Sequence, residues 1–129
     1  MNDKDKLTKV FSQMNSKLPG LKVVNLTTAD GFTICSHSFE KKTVEENKLS
    51  AATSSLAALS VAAAKQLIGS DFESTTIETI KGCMLLVRTK YQGKKCVLCL
   101  VSGKVNVIGQ VRYFAFKLAK GIEKSFNVS

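Results

Sequence analysis

Tryptophan is missing from this chain, histidine and proline occur once each, and acidic residues are scarce toward the carboxyl end. One histidine, His37, excludes metal centres built on several imidazoles. Any Ser/His/Asp or Cys/His nucleophile would have to use it, and no local spacing around it supports such a set. A lone histidine at a strand end reads as a polar surface residue. A single proline and 44% hydrophobic residues exclude a disordered chain. No G-x-G-x-x-G is present. Ser102-Gly103-Lys104 resembles the end of a phosphate-binding loop, but that loop needs Gly and Ser/Thr where positions 98 and 105 are Leu and Val. Asp30, Glu45, Glu46, Asp71, Glu73 and Glu78 fall at turns, helix starts and a strand edge, which suits capping and solvation better than paired acid–base work. No catalytic residue, cofactor site or metal site is expected.

Long apolar runs are also lacking. The amino end is polar, with no apolar segment behind it, and no signal peptide is visible. The longest uncharged stretch, Leu49–Ala64, is too short to span a bilayer and is rich in Ser, Thr and Ala. The expectation is a cytoplasmic chain whose four cysteines are reduced. Cys96 and Cys99 have C-x-x-C spacing, but they lie in an apolar strand, where side chains three apart point to opposite faces. They read, with Cys35 and Cys83, as buried structural thiols.

What is present is one domain's worth of sequence. The 129 residues fit a single unit over 1–129, with a core of about 5–126. The net charge of +9 is concentrated: residues 81–129 hold ten Lys/Arg against Glu123 alone, while residues 1–80 are balanced. Such asymmetry favours an anionic partner, and the candidate basic patch is Lys81, Arg88, Lys90, Lys94, Lys95 and Lys104. Nucleic acid is disfavoured, because Phe11, Phe114 and Phe126 occupy core-periodic positions and leave no stacking platform.

Leu7, Val10, Phe11, Met14 and Leu18 recur at helical spacing, and Pro19-Gly20 ends that helix. Leu21–Thr28 and Phe32–His37 read as strands joined by the hairpin signal Asp30-Gly31. Thr43 and Glu46 have capping-box spacing at the start of a helix running from about Val44 to Ile68. Leu49–Ala64 within it carries no charge, as expected of a helix packed on both sides. A chain this short has little material to cover both, which favours a partner chain over burial within one monomer. Glu73–Ile80 is a polar, β-branched strand suited to an edge. Cys83–Val87 and Cys96–Val101 are apolar throughout, as in central strands covered on both faces, with Tyr91–Lys94 turning between them. A final amphipathic helix covers 106–126, with Arg112, Lys117, Lys120 and Lys124 on its polar face. The order is α-β-β-α-β-β-β-α with an antiparallel sheet, an α+β domain with two helices on one face and the long helix on the other.

Leu7 to Leu18-Pro19-Gly20, the strand into Asp30-Gly31, the small-residue helix 44–68, the strand beginning Gly82-Cys83, the strand Cys96–Val101 and the closing helix together resemble a Roadblock-type domain. That family includes the dynein light chain roadblock and MglB-like proteins. The resemblance implies a five-stranded antiparallel sheet between two helices and one, and dimers in which the long helices pack together and the third strands pair. It also implies a non-enzymatic homodimeric module that binds a small Ras-like GTPase, or another regulatory protein, as activator or scaffold. The expected dimer or partner interface is Leu49, Ala52, Leu56, Leu59 and Ala63 with Thr75, Ile77 and Thr79. The alternatives are a light-chain-like structural adaptor with no effect on nucleotide and a basic-surface binder of anionic partners.

Overall fold

The computed structural model describes residues 2–40 and 45–126. Helix α1 (Asp3–Ser12) starts where the Asn2 side chain accepts the Asp5 N–H at 2.8 Å, with Asp3 and Asp5 near its positive end and Lys9 in its last turn. The sequence predicts α-helix as far as Leu18. The regular helix instead stops at Ser12 and tightens into a 3₁₀ turn, Met14–Ser16. The Ser12 and Ser16 hydroxyls donate back to the Lys9 and Gln13 carbonyls, which competes with regular continuation. Met14 and Leu18 remain buried all the same.

Strands β1 (Leu21–Thr28) and β2 (Thr33–Ser38) form the expected hairpin. Gly31 takes the left-handed conformation (φ 99°) that the turn requires. Helix α2 (Glu46–Ala63) runs on through a wider π turn, Ala64–Ile68, and ends at Gly69 (φ 75°). The expected cap at Thr43, and Val44, lie outside the described residues. Strands β3 (Ser74–Thr79), β4 (Gly82–Tyr91) and β5 (Lys94–Gly103) follow, then helix α3 (Ile108–Ser125). The five strands are antiparallel in the order β2-β1-β5-β4-β3. The apolar β5 is therefore central and the polar β3 is at an edge, as their compositions require.

The sheet divides the interior in two. On one face Leu7 and Phe11 of α1 and Val111, Ala115 and Ile122 of α3 pack on Leu26, Leu85, Leu98 and Leu100. On the other, Leu49 and Ala57 of α2, with Phe72, cover Val23, Leu86, Val97 and Cys99. A polar network pins the start of α2 to the sheet. Ser50 accepts from Thr27 Oγ1 at 2.9 Å and from Asn25 Nδ2 at 3.4 Å, and also contacts the Thr33 hydroxyl. Ser50, Asn25 and Thr27 are buried, and Thr27 also donates to Asn25 Oδ1, so losing the Ser50 hydroxyl would strand chiefly the Asn25 amide N–H, at about 1–3 kcal/mol.

The continuous helix Glu46–Ile68 is 23 residues, long and apolar enough by length and composition to cross a membrane. It exceeds the uncharged stretch of the sequence because Glu46, Lys48 and Lys65 are incorporated at its ends. Within the fold it lies across the sheet, with Leu49, Ser50, Thr53 and Ala57 turned inward.

Candidate partner interface

Four residues of α2 are buried, and they share one side. Ala51, Ala52, Ser55, Ala58, Leu59, Ala62 and Ala63 are exposed on the other. Leu59 is 68% exposed. The sequence favours a partner chain over cover of both sides within one monomer, and the fold of one chain covers a single side. The expected interface residues separate accordingly. Leu49 is spent on the chain's own sheet and offers a partner nothing, and Leu56 packs partly against the same core. Ala52, Leu59 and Ala63 stand on the open side.

The open side of α2 continues onto β3. The Ser60 and Thr75 hydroxyls are hydrogen-bonded at 2.6 Å, which ties the helix to the edge strand. β3 pairs with β4 along one side only, and its other edge carries no strand among the described residues. Thr75, Ile77 and Thr79 alternate along it, Ile77 opposite Met84 on the α2 side of the sheet. The Thr79 hydroxyl is engaged at 3.0 Å by the Gly82 carbonyl, which closes the turn into β4. Leu67 and Ile68, at the end of the π turn, are more exposed than any other α2 residue described by size and hydrophobicity (83% and 79%). They are absent from the expected interface. The signal for them was the apolar pair itself, set apart from the small-residue stretch by Lys65-Gln66 at the end of the helix.

The expected basic patch does not form one surface. Lys90 pairs with Lys95, and Tyr91 with Lys94, at the β4–β5 turn. Lys81 and Lys104 flank the Gly82–Gly103 pair at the far end of the same ladder. β4 is ten residues long, so the two groups are about 30 Å apart. Arg88 lies between them, 3.8 Å from the Asp71 carboxylate. Residues close in sequence were separated because two long strands carry them to opposite ends. An open cavity of about 560 Å³ lies beside α2, with Ala57, Val61, Phe72 and Val97 in its wall and Lys65 and Lys95 among its charged residues.

All four cysteines are buried and free, Cys96 in one core and Cys99 in the other. Burial pushes all four thiols up, and Cys99 to about 12, against the small opposing pull of the Thr53 hydroxyl. Native protein at neutral pH should therefore react slowly with a disulfide reagent, and all four thiols should react in denaturant; fast native labelling of Cys99 would contradict the packing. The folded state keeps the Cys99 proton where the unfolded chain has lost it, between the ordinary value of 9.0 and about 12. Stability should accordingly fall as pH rises through that window. His37 lies on β2, its ring edge-on to Phe39 at 4.6 Å. Among the described residues no group of three or more His, Cys, Asp or Glu could hold a metal ion.

A five-stranded antiparallel sheet with α1 and α3 on one face and the small-residue helix α2 on the other defines a three-layer α+β domain. The chain belongs to the Roadblock/LC7 domain family, whose profile matches residues 9–102. No curated protein sequence matches significantly. Among solved structures, an MglB described as having a tetrameric arrangement is similar at a TM-score of 0.81 and 18% identity, covering 94% of this chain and 88% of that one. MglB of Myxococcus xanthus is similar at 0.76 and 19% identity, covering 96% and 92%. A Roadblock/LC7 domain from Streptomyces avermitilis is similar at 0.76 and 17%, covering 91% and 94%. At these identities the likeness establishes the fold.

Proposed function

We propose that this chain is a non-enzymatic homodimeric module that binds a small Ras-like GTPase, or another regulatory protein, as activator or scaffold. The observation that carries the reading is the open side of α2, uncharged from Leu49 to Ala64, beside the unpaired edge of β3. Monomeric domains rarely leave so continuous a small-residue and apolar face in water, and an open strand edge beside it invites pairing. A two-fold axis perpendicular to the sheet would pair the two β3 strands antiparallel and lay the two α2 helices side by side. The tetrameric arrangement named for one similar MglB supports self-association. Ala52, Leu59 and Ala63 would then meet their counterparts, with Thr75, Ile77 and Thr79 along the seam. Membership of the Roadblock/LC7 family and the likeness to MglB support regulation of a GTPase.

The test is an affinity capture from native lysate at moderate salt, followed by single-turnover GTP hydrolysis with the captured GTPase. A retained Ras-like GTPase whose turnover changes in the presence of this chain is the expected result. Retention of a large filament or motor subunit, with no effect on nucleotide, would instead make the chain a structural adaptor.

A further inference from the structure

A second group of positive charges lies on the face opposite α2. Helix α3 buries Val111, Ala115, Leu118, Ala119 and Ile122. Helical spacing then places Lys117, Lys120 and Lys124 together on its outer side with Tyr113, while Phe116 and Arg112 lie toward one margin, where the Arg112 guanidinium donates to the Ser74 hydroxyl at 2.8 Å. Glu123 is the one acidic residue of the helix and falls at the margin of that side. Tyr113 is 61% exposed, and the Lys117 ammonium lies 6.0 Å from its ring centre. The Arg112 guanidinium lies 4.7 Å from the centre of Phe116. Lys17, from the segment after α1, adds a cation 5.6 Å from Phe114. Just before α3, Val105 and Val107 are 75% and 67% exposed.

We propose that this outer face of α3 docks on an anionic lipid bilayer surface. The helix is 18 residues, about 27 Å, and lies along the domain with its basic side outward. Cations interleaved with a tyrosine and a phenylalanine match an interface where headgroups are charged and the layer beneath is apolar. Three of the four cations are lysines, mobile point charges that suit diffuse attraction to many headgroups. The same features count against nucleic acid. Lys117 lies over one face of Tyr113 and Phe114 packs against the same ring at 5.1 Å, so Tyr113 is a partly occupied platform for a stacking base.

The dimer strengthens the case, and this part rests on the reading proposed above. Antiparallel β3–β3 pairing keeps both copies of α3 on one face of the extended sheet. Two basic faces would meet the same bilayer, and the second contact would be intramolecular.

The test is flotation with vesicles of pure phosphatidylcholine, or with roughly 30 mol% phosphatidylglycerol, at low and physiological salt. The wild-type chain is expected to float with the anionic vesicles alone and to be released by salt. Neutralising one such cation should cost about fivefold in partitioning, so Lys117→Gln/Lys120→Gln/Lys124→Gln should cost about a hundredfold. Tyr113→Ala should weaken what persists at higher salt. Circular dichroism and light scattering on the same samples report fold and oligomeric state. A monomer that floats with the same variant sensitivity would remove the dimer reading and leave this one standing. No binding to anionic vesicles would overturn it. So would binding lost in Lys90→Gln/Lys94→Gln/Lys95→Gln and kept in the α3 variant, or binding of the same face to DNA but not to vesicles.

Discussion

Leu59→Glu is expected to leave the fold intact and convert the dimer to a monomer. Leu59 is 68% exposed within one chain, so its replacement removes little that the monomer uses. Urea unfolding of the monomer should change by no more than about 0.5 kcal/mol. In the proposed dimer the residue is covered twice, once from each copy. Burial of a leucine contributes about 1.5–3 kcal/mol, and two are lost together, so dissociation should be favoured by on the order of a hundredfold or more. The desolvation of two facing carboxylates adds to this. A charge at the exposed Ala58 should act in the same direction. Light scattering across a concentration series reads the result directly. An unchanged dimer in both variants would show that α2 is not the contact.

Gly82→Ala should act on the fold itself. Gly82 has φ 154° and opens β4 immediately after the β3–β4 turn. A Cβ there would run into the Ser102 carbonyl oxygen and lie 3.1 Å from Gly103 Cα. Both obstacles are backbone of the central strand β5 and cannot rotate away. The residue pairs with Thr79 on one side and Gly103 on the other, so relief would have to disturb two ladders at once. Backbone strain and the displaced pairing together should cost about 2–4 kcal/mol, a large part of the stability of a domain this size. Thermal or urea denaturation checks it. A variant as stable as the parent would mean that the β3–β4 turn accommodates a side chain by a shift confined to the turn.

Much of this architecture was legible in the amino-acid pattern. Cys96–Val101 is apolar at successive positions because β5 is covered from both sides, and β-branched polar Ser74–Thr79 is an edge because no layer requires it to be apolar. Asp30-Gly31 and Gly93 announced turns through the backbone conformations that only such residues adopt readily. The end of α1 was less legible, because serine hydroxyls reaching back to carbonyls leave the apolar spacing of Leu7 to Leu18 undisturbed while changing the helix beneath it. The open helix was legible as a helix, and which of its residues face outward was not. Absence of charge marks Leu49 and Leu59 alike, and only the rotation of α2 against the sheet separates the inward one from the outward one. The basic patch was misread for a different reason. Proximity along the chain is no guide to proximity in space when the intervening strand is ten residues long. The α3 cations, by contrast, recur along one helix, where spacing alone brings them together.

The Ala and Ser stripe of α2 has a consequence for how two copies would recognise each other. Small side chains allow close approach but carry few knobs, so two such helices could slide by a turn with little change in contact. The edge strand has no such freedom. Its hydrogen-bonding groups alternate, and a slip by one residue would set Ile77, held on the helix side by its own β4, against partner residues that face the other side of the sheet. β3 has only six residues, yet it would act as the key that indexes the pair, with the helix supplying adhesion. A related chain bearing the same smooth helix but a different edge could adhere and still be rejected, which makes this short strand the place where self would be told from near-self.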